Sequence, residues 1–297
     1  MKKTVFKNHR KKWQALSVSW QNFTEPSRPS RGDVINYNKL LVEALKGKEG
    51  ASVLVLGSTP EIRELLFKFW ITKKIKVVCA DMTREMYDAM SELVDNKIKD
   101  EKFVVANWLD MKFDHKFDVV IGDFVNGNIG EKYKDAFFNN IESLLKTNGY
   151  FIHRDATVSS DCKIPNVEYV FKKFVKEVMT EEYTLKKAAN MAANYLVWAS
   201  WFKNNSNKTS LAYFWRDIEK FGKKIAEAKS EKNLIARAIF ERFLSAWGPY
   251  KDKYWTYNTI QTDNKILKKY FKIKKVLFAD DYFTKVAKNS PMYMLKK

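Results

Sequence analysis

Short, fully apolar runs alternate with stretches in which apolar residues recur every three or four positions, from about residue 52 to residue 155. SVLVLG (52–57) is apolar after its serine, as expected of a strand covered on both faces. EIRELLFKFW (61–70) then places Ile62, Leu65, Leu66 and Phe69 along one side of a helix. KIKVVCAD (74–81) predicts a second strand and TREMYDAMSELV (83–94) a second helix. KFVVAN (102–107) and FDVVIGDF (117–124) predict two more strands with a short connection. KYKDAFFNNIESLL (132–145) predicts a helix, TNGY (147–150) a turn and YFIHRD (150–155) a fifth strand. Fully apolar strands alternating with helices indicate a parallel sheet with helices on both faces.

The pattern changes on either side. Residues 1–35 read as an arm, charged at first and then broken by the Pro, Ser and Gly of TEPSRPSRGD, and helical spacing follows from Val34 to Leu45. Beyond Asp155 only helical periodicity remains from about Val167 to Ala246, interrupted by the polar loop NNSNKTS. Leu211, Phe214, Trp215, Ile218, Phe221 and Ile225 make one apolar stripe there, and Tyr195, Trp198 and Trp201 line another. The end of the chain reads as a helix and two closing strands, the last in SPMYMLKK. Four segments result: an arm and helix (1–50), an α/β core (51–160), a helical insertion (161–255) and a return to the core (256–297).

Composition narrows the class. The chain has 297 residues, 45% of them hydrophobic and 30% charged, and no apolar run approaches the roughly 20 residues that span a bilayer. Cys79 and Cys162 form no metal-binding spacing and suit a reducing compartment, so a cytoplasmic, non-membrane protein is expected. The net charge of +19 is unevenly spread: about +7 over residues 1–50, −2 over 51–160 and +14 over 161–297. The basic 161–297 region keeps a nucleic-acid partner open, yet it holds no dense Lys/Arg block with interleaved aromatics. Nothing in the pattern bears on oligomeric state.

The chemistry should lie at the carboxyl ends of the strands, where open parallel sheets hold their ligands. Gly57, Ser58 and Thr59 form the turn after the first strand, with Thr59 placed to cap the next helix and Pro60 at its first position. Pro60 removes one N–H donor and Glu61 adds a negative charge, which disfavours a pyrophosphate and hence a dinucleotide. Asp81, 24 residues after Gly57, ends the second strand, where an acid can accept both hydroxyls of a ribose; capping the following helix is its other reading. Asn107 is placed to bond an adenine edge, with Trp108 or Leu109 packed on the base.

With those residues in place, VLVLGSTPEIRELL, VVCADMTREMYDAM and NWLDMKFDHKFDVVIGDFVNGNI together resemble the class I S-adenosylmethionine-dependent methyltransferases. The likeness is to a divergent branch whose first motif reads Leu-Gly-x-Thr-Pro-Glu; it covers about residues 26–160 and the last thirty. The resemblance implies a Rossmann-like seven-stranded sheet with an antiparallel last strand, and S-adenosylmethionine as cofactor. By position, Gly57, Ser58 and Thr59 would face the methionine end, Asp81 the ribose and Met82 the adenine. Asn107, Trp108 and Leu109 would frame the base, and Asp123 would sit under the sulfonium. Trp20 and Tyr37, which precede the sheet, are expected to help close the site. Asp123, His153 and Arg154 are the candidates for catalysis: His153 as a base, Arg154 as a clamp for a substrate anion or as a structural partner of Asp155 or Asp161. The helical insertion is expected to act as a cap over a small or medium organic acceptor. An RNA methyltransferase and a non-catalytic binding protein of the same fold are the alternatives.

Overall fold

The computed structural model describes residues 23–158, 166–203, 207–226, 229–281 and 289–297. It divides into two compact units. The first holds the described residues of 29–157 and 258–297 and is built on one seven-stranded sheet. Its strands are β1 (Ser52–Leu56), β2 (Lys76–Asp81), β3 (Lys102–Val105), β4 (Phe117–Asp123), β5 (Leu145–Arg154), β6 (Lys272–Leu277) and β7 (Met292–Lys296). They lie in the order β3-β2-β1-β4-β5-β7-β6. Strands β1 to β5 are parallel, and β7 runs antiparallel to both of its neighbours, as the sequence resemblance implied.

Alternation along each strand divides the core into two layers. Val53 and Val55 face one way with Val77, Val119, Ile121 and Ile152, against α1 (Arg31–Ala44) and α2 (Pro60–Lys73). Leu54 and Leu56 face the other way with Val120, Phe151 and Tyr293, against α4 (Lys134–Leu144) and α9 (Ile260–Leu267). Between α2 and α4, α3 (Arg84–Ser91) follows β2.

Helix α1 begins three residues before the periodicity does, because Ser30 and Asp33 form a reciprocal capping box. The TNGY turn falls inside β5: pairing with β4 passes from Phe117–Leu145 to Val119–Tyr150, so residues 146–149 bulge, with Asn148 at φ 70°.

The second unit comprises the described residues of 21–28 and 158–257. Its boundaries differ slightly from the expected 161–255, and Phe23–Arg28 belongs with it rather than with the arm and core helix. Four helices dominate: α5 (Val167–Met179), α6 (Leu185–Lys203), α7 (Trp215–Ala226) and α8 (Glu231–Trp247). Phe171, Phe221, Phe240 and Phe243 form an aromatic cluster among them, with ring centroids 4.8–6.2 Å apart. Of the predicted stripe, Leu211, Phe214, Ile218, Phe221 and Ile225 are buried, while Trp215 is half-exposed. The polar loop carries a feature that periodicity missed, a two-residue strand Lys208–Thr209 paired with Trp255–Thr256.

Candidate functional site

The carboxyl edge of β1, β2 and β4 brings together most of the sequence-selected residues. Gly57 leaves β1 at φ +87°, a backbone state that side chains rarely adopt, and its N–H bonds the Ala80 carbonyl at 2.8 Å. A Cβ built on it meets only Trp108 Cζ2, at 3.8 Å, so the turn leaves its backbone accessible. Thr59 is the residue before α2 and Pro60 its first, as expected, but the Thr59 side chain makes no cap bond. Ser58 is buried, and its hydroxyl donates to Asp81 Oδ2 at 3.1 Å.

That bond orients Asp81 toward the β1 turn. Asp81 does not cap α3; Thr83 does, its side chain accepting from the Met86 N–H. Asp81 instead accepts the Met82 N–H at 2.6 Å. Burial pushes its pKa up to about 6, against the pull of the N–H groups of Met82 and Thr83 and the Ser58 hydroxyl. A carboxylate offers about four acceptor positions, so three donors leave room for one more.

Met82, Asn107, Trp108 and Leu109 are half-exposed beside this edge. Asn107 Oδ1 accepts the Leu109 N–H at 3.2 Å, which folds the segment after β3 into a turn. The Trp108 indole N–H donates to the Ala80 carbonyl at 2.9 Å, so one oxygen receives both Gly57 and Trp108. Trp108 thus stands half-exposed across the end of β2 while also packing on the core layer that holds Phe137.

At the end of β4 the chain approaches β1 so closely that a Cβ on Gly122 would lie 2.6 Å from Val125 Cγ1 and 3.2 Å from the Leu56 carbonyl oxygen. Asp123 follows, then Phe124 in the left-handed region at φ 49°, an uncommon state for a bulky side chain. The Arg154 guanidinium lies 4.1 Å from the centre of the Phe124 ring.

Arg154 is where the sequence reading needs correction. Its guanidinium is engaged inside the protein by acids other than the expected ones: Nε and Nη2 donate to the two oxygens of Asp123 at 2.7 and 2.8 Å, and Nη1 donates to Asp33 of α1. Asp161, one of the expected partners, lies outside the described residues. Arg154 and Asp33 are both fully buried. Burial pushes the Asp123 pKa up even so, with the Arg154 charge opposing it. One guanidinium thus ties together two carboxylates from different elements.

Tyr37 belongs to the same cluster. It is only 1% exposed, and its hydroxyl is shared between the Gly122 carbonyl at 2.9 Å and Asp123 Oδ1 at 3.0 Å while accepting the Arg154 N–H at 3.1 Å. It pins α1 to the ends of β4 and β5 instead of closing over the crevice. Trp20, the other proposed closing residue, lies outside the described residues.

His153 is corrected too. It points to the opposite face of the sheet from Arg154, as alternation requires, and is fully buried between the Phe151 ring (4.5 Å) and the Tyr293 ring (5.4 Å). Neither ring nitrogen has a hydrogen-bond partner among the described residues. Burial drives its pKa down to about 3, so it is a neutral aromatic disc and not a reachable base.

Sequence reasoning missed Asp33, whose role depends on α1 packing against β5, and a second buried polar cluster on the His153 face. There Asn126 donates to Asp155, Asn258 donates to Asp263 at 3.0 Å, and Lys134 lies 4.0 Å from Asp263. Burial, then the Asp263 charge, pushes Asp155 up to about 8. These residues are far apart in sequence, and no local motif marks them.

A family model described as a methyltransferase domain matches residues 57–237, more than half of the chain. The chain belongs to that family. The resemblance read from its motifs is borne out at the level of family and fold. No curated protein matches the chain. Among solved structures, a protein from Rhodobacter sphaeroides described as a Zn-dependent alcohol dehydrogenase has a TM-score of 0.55 at 12% identity, covering 97% of this chain and 98% of that one. This likeness is one of fold alone. The N-methyltransferase NodS of Bradyrhizobium japonicum, with S-adenosyl-L-homocysteine, has a TM-score of 0.49 at 8% identity over 96% and 98% of the two chains. The cyclopropane synthase MmaA2 of Mycobacterium tuberculosis gives 0.46 at 15% over 97% and 98%. Among the described residues no group of acids, histidines and cysteines could hold a metal ion, and no helix is long and apolar enough to cross a membrane.

Proposed function

We propose that this chain transfers the methyl group of S-adenosylmethionine to a small or medium organic acceptor. The observation that carries the reading is the pairing of an accessible Gly57 turn with Asp81, buried and held toward that turn by Ser58. An acid at the end of β2 with one acceptor position left suits a ribose hydroxyl. Pro60 and Glu61 at the start of α2, hostile to a phosphate, are compatible with a cofactor that has none and is cationic at its sulfur. Met82 and the Asn107–Leu109 turn are the residues that would frame the adenine, and Gly57, Ser58 and Thr59 those beside the methionine end. Asp123, which ends β4, is the acid that would lie beside the ammonium and sulfonium of that end.

When bound, the cofactor supplies the reactive methyl, and the protein's part is to align donor and acceptor for an in-line displacement. His153 is sealed in the core and Asp123 is paired with Arg154, so neither is free to take a proton. An acceptor whose nucleophile carries a lone pair without prior deprotonation, such as an aromatic ring nitrogen, or is already ionised at neutral pH, such as a carboxylate, fits this arrangement. Titration calorimetry of the purified chain with S-adenosylmethionine and S-adenosylhomocysteine tests the reading. Saturable binding of both is expected, lost in Asp81→Ala; no heat at millimolar ligand would overturn it in favour of a non-catalytic relative. A labelled methyl donor offered with metabolite pools and with RNA then separates an organic acceptor from a nucleic acid.

A further inference from the structure

The helical unit contains a cavity of its own, of about 840 Å³, between α5, α7 and the start of α8. Its volume falls within the range of small-molecule sites, roughly 300–1,000 Å³. The wall is apolar where it is deepest: Val175, Phe221, Ile225 and Ala236 line it, each 4–6% exposed. Met179, 43% exposed, extends this apolar wall outward.

The rim has the opposite character. Among the described residues, Lys172, Lys176, Lys224 and Lys232 line the cavity, against one acid, Glu168. Lys172 and Lys224 close on Glu168 from α5 and α7, each at 2.7 Å, and hold its pKa down to about 2. Lys176 and Lys232 form no ion pair among the described residues, so the described part of the mouth carries more lysines than acids. Thr180, Ser230 and Asn233 add neutral hydrogen-bonding groups, and the Ser230 side chain makes no cap bond to α8. A lysine can lie its apolar stem along such a wall while its ammonium stays at the mouth, so wall and rim can act on one ligand together.

We propose that this cavity binds a single-chain anionic amphiphile: an alkyl chain against the Phe221–Ile225 wall and a carboxylate or phosphate head between Lys176 and Lys232. An extended polyanion such as RNA would engage the lysines and leave the apolar wall unused. A neutral apolar compound would use the wall and leave the lysines unpaired. Only a ligand with both parts uses both features. The inference concerns the helical unit and does not depend on the donor site of the core.

The test is calorimetric titration of the full chain, below micelle-forming concentrations, with laurate, dodecyl phosphate, dodecyl maltoside and inorganic phosphate. Excess S-adenosylhomocysteine is added in a parallel series. Laurate or dodecyl phosphate should bind saturably, at least tenfold more tightly than dodecyl maltoside, with inorganic phosphate showing no saturation and S-adenosylhomocysteine leaving the affinity unchanged. The exposed double variant Lys176→Glu/Lys232→Glu, whose melting temperature should match the parent, should lose at least tenfold in laurate affinity. Ile225→Asp, which places a charge on the wall, should weaken laurate and dodecyl maltoside alike. The proposal is overturned if charge-neutral and anionic amphiphiles bind equally, if the double variant binds as the parent does, or if inorganic phosphate alone saturates the site. Laurate displaced by S-adenosylhomocysteine would place it in the core instead, and binding to RNA or to phosphatidylglycerol vesicles without binding of laurate would also refute it.

Discussion

Two side chains at the ends of strands in one sheet show how their surroundings decide what a titratable residue can do. Asp81 is buried but held by donors that leave one acceptor position, and burial lifts its pKa to about 6. Its ionised form is the better acceptor for ribose hydroxyls, so the donor affinity should fall as pH drops through that value. Between pH 7 and pH 5 the ionised fraction falls about tenfold, and the dissociation constant for S-adenosylmethionine should rise by about the same factor, which Asp81→Asn should abolish. His153, by contrast, is neutral throughout this range because burial, helped by the Lys134 charge, drives its pKa to about 3. Its stacking between Phe151 and Tyr293 makes it replaceable by another flat ring. The variant His153→Phe should keep kcat within about twofold of the parent, whereas loss of a general base costs about a hundredfold or more. A drop of that size, in a variant that still melts normally, would return His153 to the chemistry.

Helix α1 and strands β4 and β5 meet in a cluster of groups that are each expensive to bury alone. Arg154 satisfies Asp123 with two hydrogen bonds and Asp33 with a third, and Tyr37 ties the same helix to both strands. The worth of such a cluster is clearest when one member is removed, since the partners stay buried and uncompensated. Arg154→Met should destabilise the chain by about 3–5 kcal/mol in urea unfolding, more than its loss of contact area would suggest. The same arrangement puts one edge of the candidate donor site on a rigid support, because Asp123 is held from two sides before any ligand arrives.

At the scale of the whole molecule, the chain leaves the seven-stranded unit after Thr157 and returns to it at Asn258, and these two residues form a parallel bridge. Bridged residues lie roughly 5 Å apart, so the hundred residues between them can be replaced by a short connection without pulling the core open. A chain in which 158–257 is exchanged for a brief Gly/Ser linker should fold, with a cooperative melt, and should bind S-adenosylmethionine through Gly57 and Asp81. An unfolded product would mean that the core draws its stability from the helical unit. The excised segment 158–257 carries 18 Lys and Arg against 11 Asp and Glu, about half of the positive balance of residues 161–297, so comparing the salt dependence of RNA retention in the two chains also tests whether that half binds nucleic acid.

The linear order of residues was enough to determine the alternation of strands and helices and the turn at Gly57. Both depend on neighbours in sequence: apolar runs, Pro60 at a helix start, a glycine at positive φ. It also marked Asp81 by its distance from that turn. The antiparallel direction of the closing strand was implied only by the family resemblance. The arrangement in space decided what the sequence had left open. Thr83 rather than Asp81 caps α3, because the cap goes to whichever side chain reaches the free N–H groups. Arg154 found Asp33, 121 residues away, because α1 packs across the end of β5. His153 became inert for the plainest reason, that adjacent residues of a strand face opposite sides of the sheet. Periodicity is a local property and can be read from one chain; the pairing of buried charges depends on which surfaces meet, and only the folded chain brings them together.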